Sequence, residues 1–170
     1  RASIFMARAQ YDDALALQLP YLEKRDSLTI TRAAILASKM QKPPSDIEHL
    51  FDLARERFLD VSPFTLAWMD FQRGTLLELA GEDKKAAPWF AEALDALPPY
   101  AHAAVHLAPT QAPADAIRSL EEVKKTSDDP EVLAALANAH ERAGHTTEPP
   151  ALIEQAKKRY DEIVAKTKVS

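Results

Sequence analysis

The stretch from Ala67 to Tyr100, AWMDFQRGTLLELAGEDKKAAPWFAEALDALPPY, decides how this chain folds. Apolar residues recur in it at three- and four-residue spacing on both sides of Gly81, the period of helices that bury one face. Pro98 and Pro99 close the second run, because proline lacks the N–H that would continue a helix. The small residues fall where two such helices would cross. Gly74 in the first run and Ala86 in the second permit close approach, Phe90 fills the space beside them, and Gly81 serves the turn. The stretch therefore reads as a helical hairpin.

The same grammar extends in both directions. Upstream, an N-terminal segment from about Asp12 to Lys24 carries Leu15, Leu19 and Leu22, with Pro20 expected to kink or end it. Asp26-Ser27 offers an N-cap for a helix from Leu28 to Met40, and Ser45-Asp46-Ile47-Glu48 has the pattern of a capping box. Ser62-Pro63 marks the start of the helix that runs to Ala80. Downstream, segments are expected over Asp83 to Leu97 and Tyr100 to Ala108. A stripe of Ala116, Ile117, Leu120 and Val123 follows Pro113. Asp129-Pro130 opens a helix that ends at Gly144, and Pro149-Pro150 opens the last one, with Ile153, Ala156, Tyr160 and Ile163. Nowhere is period-two alternation sustained, so the fold class is all-α, with about nine helices joined by short connections.

Composition agrees. A chain of 170 residues, 46% hydrophobic and 28% charged, can bury one core and is too apolar for disorder. Its 12 prolines against 3 glycines are expected at helix boundaries. A net charge of -5 provides no basic field for phosphates, so nucleic acid is not an expected partner. With no Cys, disulfides, thiolate metal sites and cysteine nucleophiles are excluded. No apolar run reaches the roughly 20 residues a membrane span needs, so membrane insertion is not expected. The sequence begins at Arg1 rather than Met, which leaves a removed leader or an upstream domain open; a cytoplasmic location is favoured over a periplasmic one.

Gly74, Leu77, Gly81, Ala86, Phe90, Ala93 and Pro98 fall at the spacings of a tetratricopeptide repeat, a helix-turn-helix unit of about 34 residues. The stretch thus resembles that family, with Asp70 and Arg73 standing where it usually has large apolar residues. Weaker resemblances cover residues 28–60, 101–126 and 130–165, and an orphan helix over 11–24 completes a single domain over 1–170. The resemblance implies a right-handed superhelical array of about four repeats.

Residues that could carry chemistry are few. His102 and His106 stand four apart on one helix, but lack a third ligand nearby in sequence and read as a polar and a packed position. His140-Glu141 and His145 miss the zinc-protease spacing by one residue, and Gly144 interrupts the helix. Three unclustered glycines form no phosphate loop, and the serines lack a nucleophile elbow. No catalytic residue, cofactor or metal site is expected, and the chain does not read as an enzyme.

The resemblance implies a protein or peptide partner, since first helices of successive tetratricopeptide repeats line a concave surface. It makes Trp68, Phe71, Thr75 and Glu78 candidates for that surface, with Asn138 and Arg142 from a later repeat. Trp68 and Phe71 could equally be core between repeats, because their helix is apolar on two sides and needs two things to pack against. The alternative function is a helical accessory or dimerisation domain of a larger enzyme or regulator.

Overall fold

The structure, a computed structural model, describes residues 10–17, 26–59 and 62–167. Among them are nine α-helices and no strand. They are α1 (Tyr11–Ala16), α2 (Ser27–Lys39), α3 (Pro44–Glu56), α4 (Pro63–Leu79), α5 (Asp83–Ala96), α6 (Ala101–Leu107), α7 (Pro113–Lys124), α8 (Pro130–Arg142) and α9 (Glu148–Thr167), with a 3-10 turn at Ala108–Thr110 after α6. The helices pack as consecutive hairpins, α2 with α3, α4 with α5, α6 with α7 and α8 with α9, while α1 lies on α2. Successive first helices also touch, α2 with α4 and α6 with α8. This is an all-α solenoid.

Local chemistry explains several boundaries. Asp26 caps α2, its carboxylate accepting from the Thr29 N–H at 2.8 Å, and Asp129 caps α8 by accepting from Glu131 N–H at 2.9 Å. Three first helices end in the same closure. After α4 the Gly81 N–H donates to Glu78 O and the Glu82 N–H to Leu77 O. After α8 Gly144 and His145 donate to Glu141 O and His140 O. After α2 Gln41 and Lys42 repeat the pattern on Ser38 and Ala37. This closure needs a left-handed residue. Gly81 and Gly144 adopt φ of 76° and 81° freely, whereas Gln41 does so at φ 55° with a side chain in the way.

Two expectations are corrected, and a third lies partly outside the described residues. The capping box at Ser45 does not form: α3 begins at Pro44 with Pro43 as its N-cap. Proline at the first helical position starts the helix one residue too early for Ser45 to cap it. Pro88 lies inside α5 rather than at a boundary, depriving the Lys84 carbonyl of its intrahelical donor. The N-terminal helix is described only as α1, and Pro20 with the rest of 18–25 lies outside the described residues.

Gly74 stands where α4 crosses α5. A Cβ there would lie 2.6 Å from Phe90 Cε1, so the missing side chain is what lets the Phe90 ring pack flat against the helix. The two unusual residues nearby are buried. Asp70 is 1% and Arg73 7% exposed, and each finds its charge partners on α3 or α5. Arg73 pairs with Glu48 and, at 2.9 Å, with Asp52, while its guanidinium lies 3.9 Å from the centre of the Trp89 ring. Arg55 reaches Asp70 at 3.4 Å and Glu92 at 2.9 Å. Burial outweighs the nearby Arg55 and pushes the Asp70 carboxyl up to about 6, with Glu92 adding to the rise. The Asp70 Oδ2 atom has no hydrogen-bond partner among the described residues.

Candidate partner-binding surface

Helices α4, α6 and α8 are the first helices of successive hairpins, and they carry every residue the sequence nominates for binding. On α4, Trp68, Phe71, Thr75 and Glu78 share a face by their spacing. Trp68 is half-buried and lies one turn from Phe64, which is 57% exposed. Phe71, also half-buried, sits in the seam with α6. Its ring centroid lies 5.4 Å from Tyr100, 5.8 Å from His102, 5.5 Å from His106 and 5.9 Å from Phe90. The Thr75 hydroxyl turns inward and donates to Phe71 O at 2.9 Å. Glu78 reaches across the seam to His106, with Oε2 2.6 Å from Nδ1.

His106 is the hub through which this row continues. Together with Val105, Ala108, Glu131, Ala134 and Asn138 it lines a hollow of about 600 Å³ between α6 and α8. Glu78, His106 and Asn138 thus mark a path across three first helices. Arg142, one turn beyond Asn138, is committed to the backbone: it donates to Ala108 O at 2.9 Å and Gln111 O at 2.5 Å. It ties the end of α8 to the turn after α6.

A larger groove of about 930 Å³ continues the surface past α8. Its floor is Ala134 and Pro130, one wall is His102, and the other is Ile153, Ala156, Tyr160 and Ile163 of α9. Three of these α9 residues are open to solvent, Ile153 at 36%, Tyr160 at 61% and Ile163 at 49%. Their rim is acidic: Asp128, Asp129, Glu131 and Asp161 against Lys157. Asp128 is neutralised by Arg159 at 2.5 Å and Asp129 is used as the α8 cap. Glu131 and Asp161 therefore face the groove without a lysine or arginine ion pair among the described contacts.

Sequence reading finds the α9 stripe by its spacing and assigns it no binding role. Period reveals that a helix has an apolar face, and only the fold reveals whether a neighbour covers it. His106 is read there as a packed position; its role as a bridge between Glu78 and the Asn138 hollow depends on a contact 28 residues away.

No family model matches the sequence, and no curated protein matches it. Solved structures do resemble it. One is the C-terminal part of a TPR repeat-containing protein from Cytophaga hutchinsonii, 14% identical with a TM-score of 0.68; the match covers 93% of this chain and 63% of that one. Another is YrrB, described as a TPR protein with an unusual peptide-binding site, also 14% identical, with a TM-score of 0.67 over 93% of this chain and 82% of that one. The chain spans less than two thirds of the first of these. At this identity the likeness establishes a tetratricopeptide-like fold. Among the described residues no helix is long and apolar enough to cross a membrane.

Proposed function

With that fold as the premise, we propose that the chain is a non-catalytic interaction scaffold that holds an extended segment of a partner protein along its first helices. The observation that carries this reading is the apolar groove between His102, Ala134 and the exposed Ile153, Tyr160 and Ile163 of α9. It joins the Glu78, His106 and Asn138 path at Glu131 and Ala134, which line both hollows. Aromatic and aliphatic side chains of a partner would fill the groove, while Glu131 and Asp161 favour lysine or arginine beside them. Trp68, Phe71, Thr75 and Glu78 extend the surface onto α4 and Asn138 onto α8, with Arg142 bracing the far end of α8 through Ala108 and Gln111. The solved YrrB structure, described as having a peptide-binding site, supports peptide binding as a use of this fold.

A display library of random peptides screened on the purified protein tests the reading. Enriched sequences should combine apolar residues with lysine or arginine, and Tyr160→Ala should weaken the best of them by about 2 kcal/mol. Trp68→Ala should weaken it too if the segment extends onto α4. Absence of enrichment, or binding indifferent to Tyr160, Trp68 and Glu131 alike, would overturn the proposal. The accessory or dimerisation reading has one observation in its favour, the same open stripe on α9. Concentration-dependent dimerisation abolished by Tyr160→Ala would establish it instead.

A further inference from the structure

The closure after α8 brings together two histidines that the sequence separates. In this type of helix ending the third-last helical residue and the second residue beyond the cap meet, usually as an apolar contact. Here those positions are His140 and His145, fixed by the His145 N–H to His140 O bond at 3.0 Å and by the left-handed Gly144. Their Nδ1 atoms are 2.7 Å apart, and their ring centroids 5.0 Å. At that separation one Nδ1 carries a proton and the other accepts it. Glu148, the first residue of α9, adds a carboxylate, and one ligand atom from each of the three lies within 4.8 Å of the others.

We propose that His140, His145 and Glu148 bind a divalent transition-metal ion of the zinc class, which takes the place of the hydrogen bond between the two imidazoles while the Nδ1 proton moves to Nε2 of its own ring. Two imidazoles and a carboxylate suit zinc, cobalt or nickel rather than magnesium or calcium, which prefer all-oxygen sites. Metal–nitrogen bonds of about 2.0–2.1 Å in a tetrahedral site put two ligand atoms roughly 3.3 Å apart. The rings therefore need to part by only about half an ångström from their present contact. Glu148 is prepared for the role. The Thr147 hydroxyl donates to its Oε2 at 2.7 Å, which orients the carboxylate. Three protein ligands at an exposed turn leave the fourth position to water.

The second grouping of this kind, His102 with Asp129 and Glu131, has a single imidazole, and its Asp129 carboxylate already caps α8. It serves as the internal control. Titrating the protein with Co²⁺ should give one saturable equivalent with the visible absorption of nitrogen and oxygen ligands, displaced by Zn²⁺ and unaffected by excess Mg²⁺. Binding should raise the melting temperature. His145→Ala, at an exposed position, should abolish saturation at the concentrations that fill the parent protein. Glu148→Gln should weaken binding at least about ten-fold. His102→Ala should change nothing. Absence of saturable binding would overturn the proposal, as would binding that survives His145→Ala or disappears with His102→Ala. Circular dichroism of each variant shows whether the helices are intact.

Discussion

The two halves of the solenoid are held together by different physics. From α6 to α9 one continuous apolar cluster, centred on Leu120, Val123, Val132 and Leu136, runs through both hairpins. Around α3, α4 and α5 the apolar clusters are smaller and separate, and the surface between the α2/α3 hairpin and the next is bridged by Arg55, Arg73, Asp70, Glu48 and Glu92. Apolar packing is indifferent to which neighbour supplies the carbon, so it gives adhesion. Paired buried charges contribute little net stability but penalise every arrangement in which they are not paired. Adhesion is concentrated in the C-terminal half, and selectivity of fit in the N-terminal half.

The contrast can be broken most forcefully in the apolar half. Leu136 is fully buried at the centre of that cluster, and Leu136→Ala should cost about 2–5 kcal/mol. In chemical denaturation it should unfold α6 to α9 well before the parent protein does. A loss under about 1 kcal/mol would mean that the cluster can collapse around the gap and is not the stabilising core assigned here.

Asp70 sharpens the other side, with a gain rather than a loss. Its carboxyl stands at about 6 in the folded protein against an ordinary aspartate value of 3.8. Between those values the native state holds a proton that the unfolded chain has released, so stability from this group is greatest at acid pH and falls as pH rises through about 4 to 6. Above that window an ionised carboxylate is confined in a buried seam, and its Oδ2 has no hydrogen-bond partner among the described residues. Asp70→Asn removes the charge and leaves Arg55 paired with Glu92 and Arg73 with Glu48. The variant should be more stable than the parent by about 1–3 kcal/mol near neutrality, with the difference vanishing near about pH 4. Urea denaturation of both proteins across that range measures it. A variant that is less stable at neutral pH would show that Arg55 needs Asp70 more than burial penalises it.

The smallest expected change concerns the turn after α2. Gln41 holds the left-handed conformation that glycine holds after α4 and α8, so Gln41→Gly should stabilise by roughly 1 kcal/mol or less. Thermal unfolding should show a small upward shift; a downward one would mean that the Gln41 side chain makes a contact worth more than its strain.

Much of this architecture is legible in the residues themselves. Gly74 and Phe90 predict the close crossing that the structure shows, and Asp26 and Asp129 announce their caps. These signals are local: helix period, caps and turn glycines act within a few residues of one another. The polar seam is not local. Arg73 meets Glu48 from 25 residues away and Arg55 meets Glu92 from 37, so the sequence marks Asp70 and Arg73 as departures without saying what satisfies them. The α9 stripe and the pairing of His140 with His145 are hidden for a related reason. The first depends on which described residues pack along the groove, the second on the sign of one backbone angle at Gly144.

Repeat proteins are commonly regarded as interchangeable bricks, extended or shuffled by duplication because each unit meets its neighbour through much the same face. The seam at Arg73 makes this chain an exception at one junction. A copy of the α4/α5 hairpin placed after any unit lacking carboxylates at the positions of Glu48 and Asp52 and an arginine at that of Arg55 would bury two charges with nothing opposite them. That hairpin therefore carries an address as well as a shape. Grafted elsewhere in the array it should fail to dock, so recombination that inserts or deletes units is tolerated on its far side and penalised at its near one.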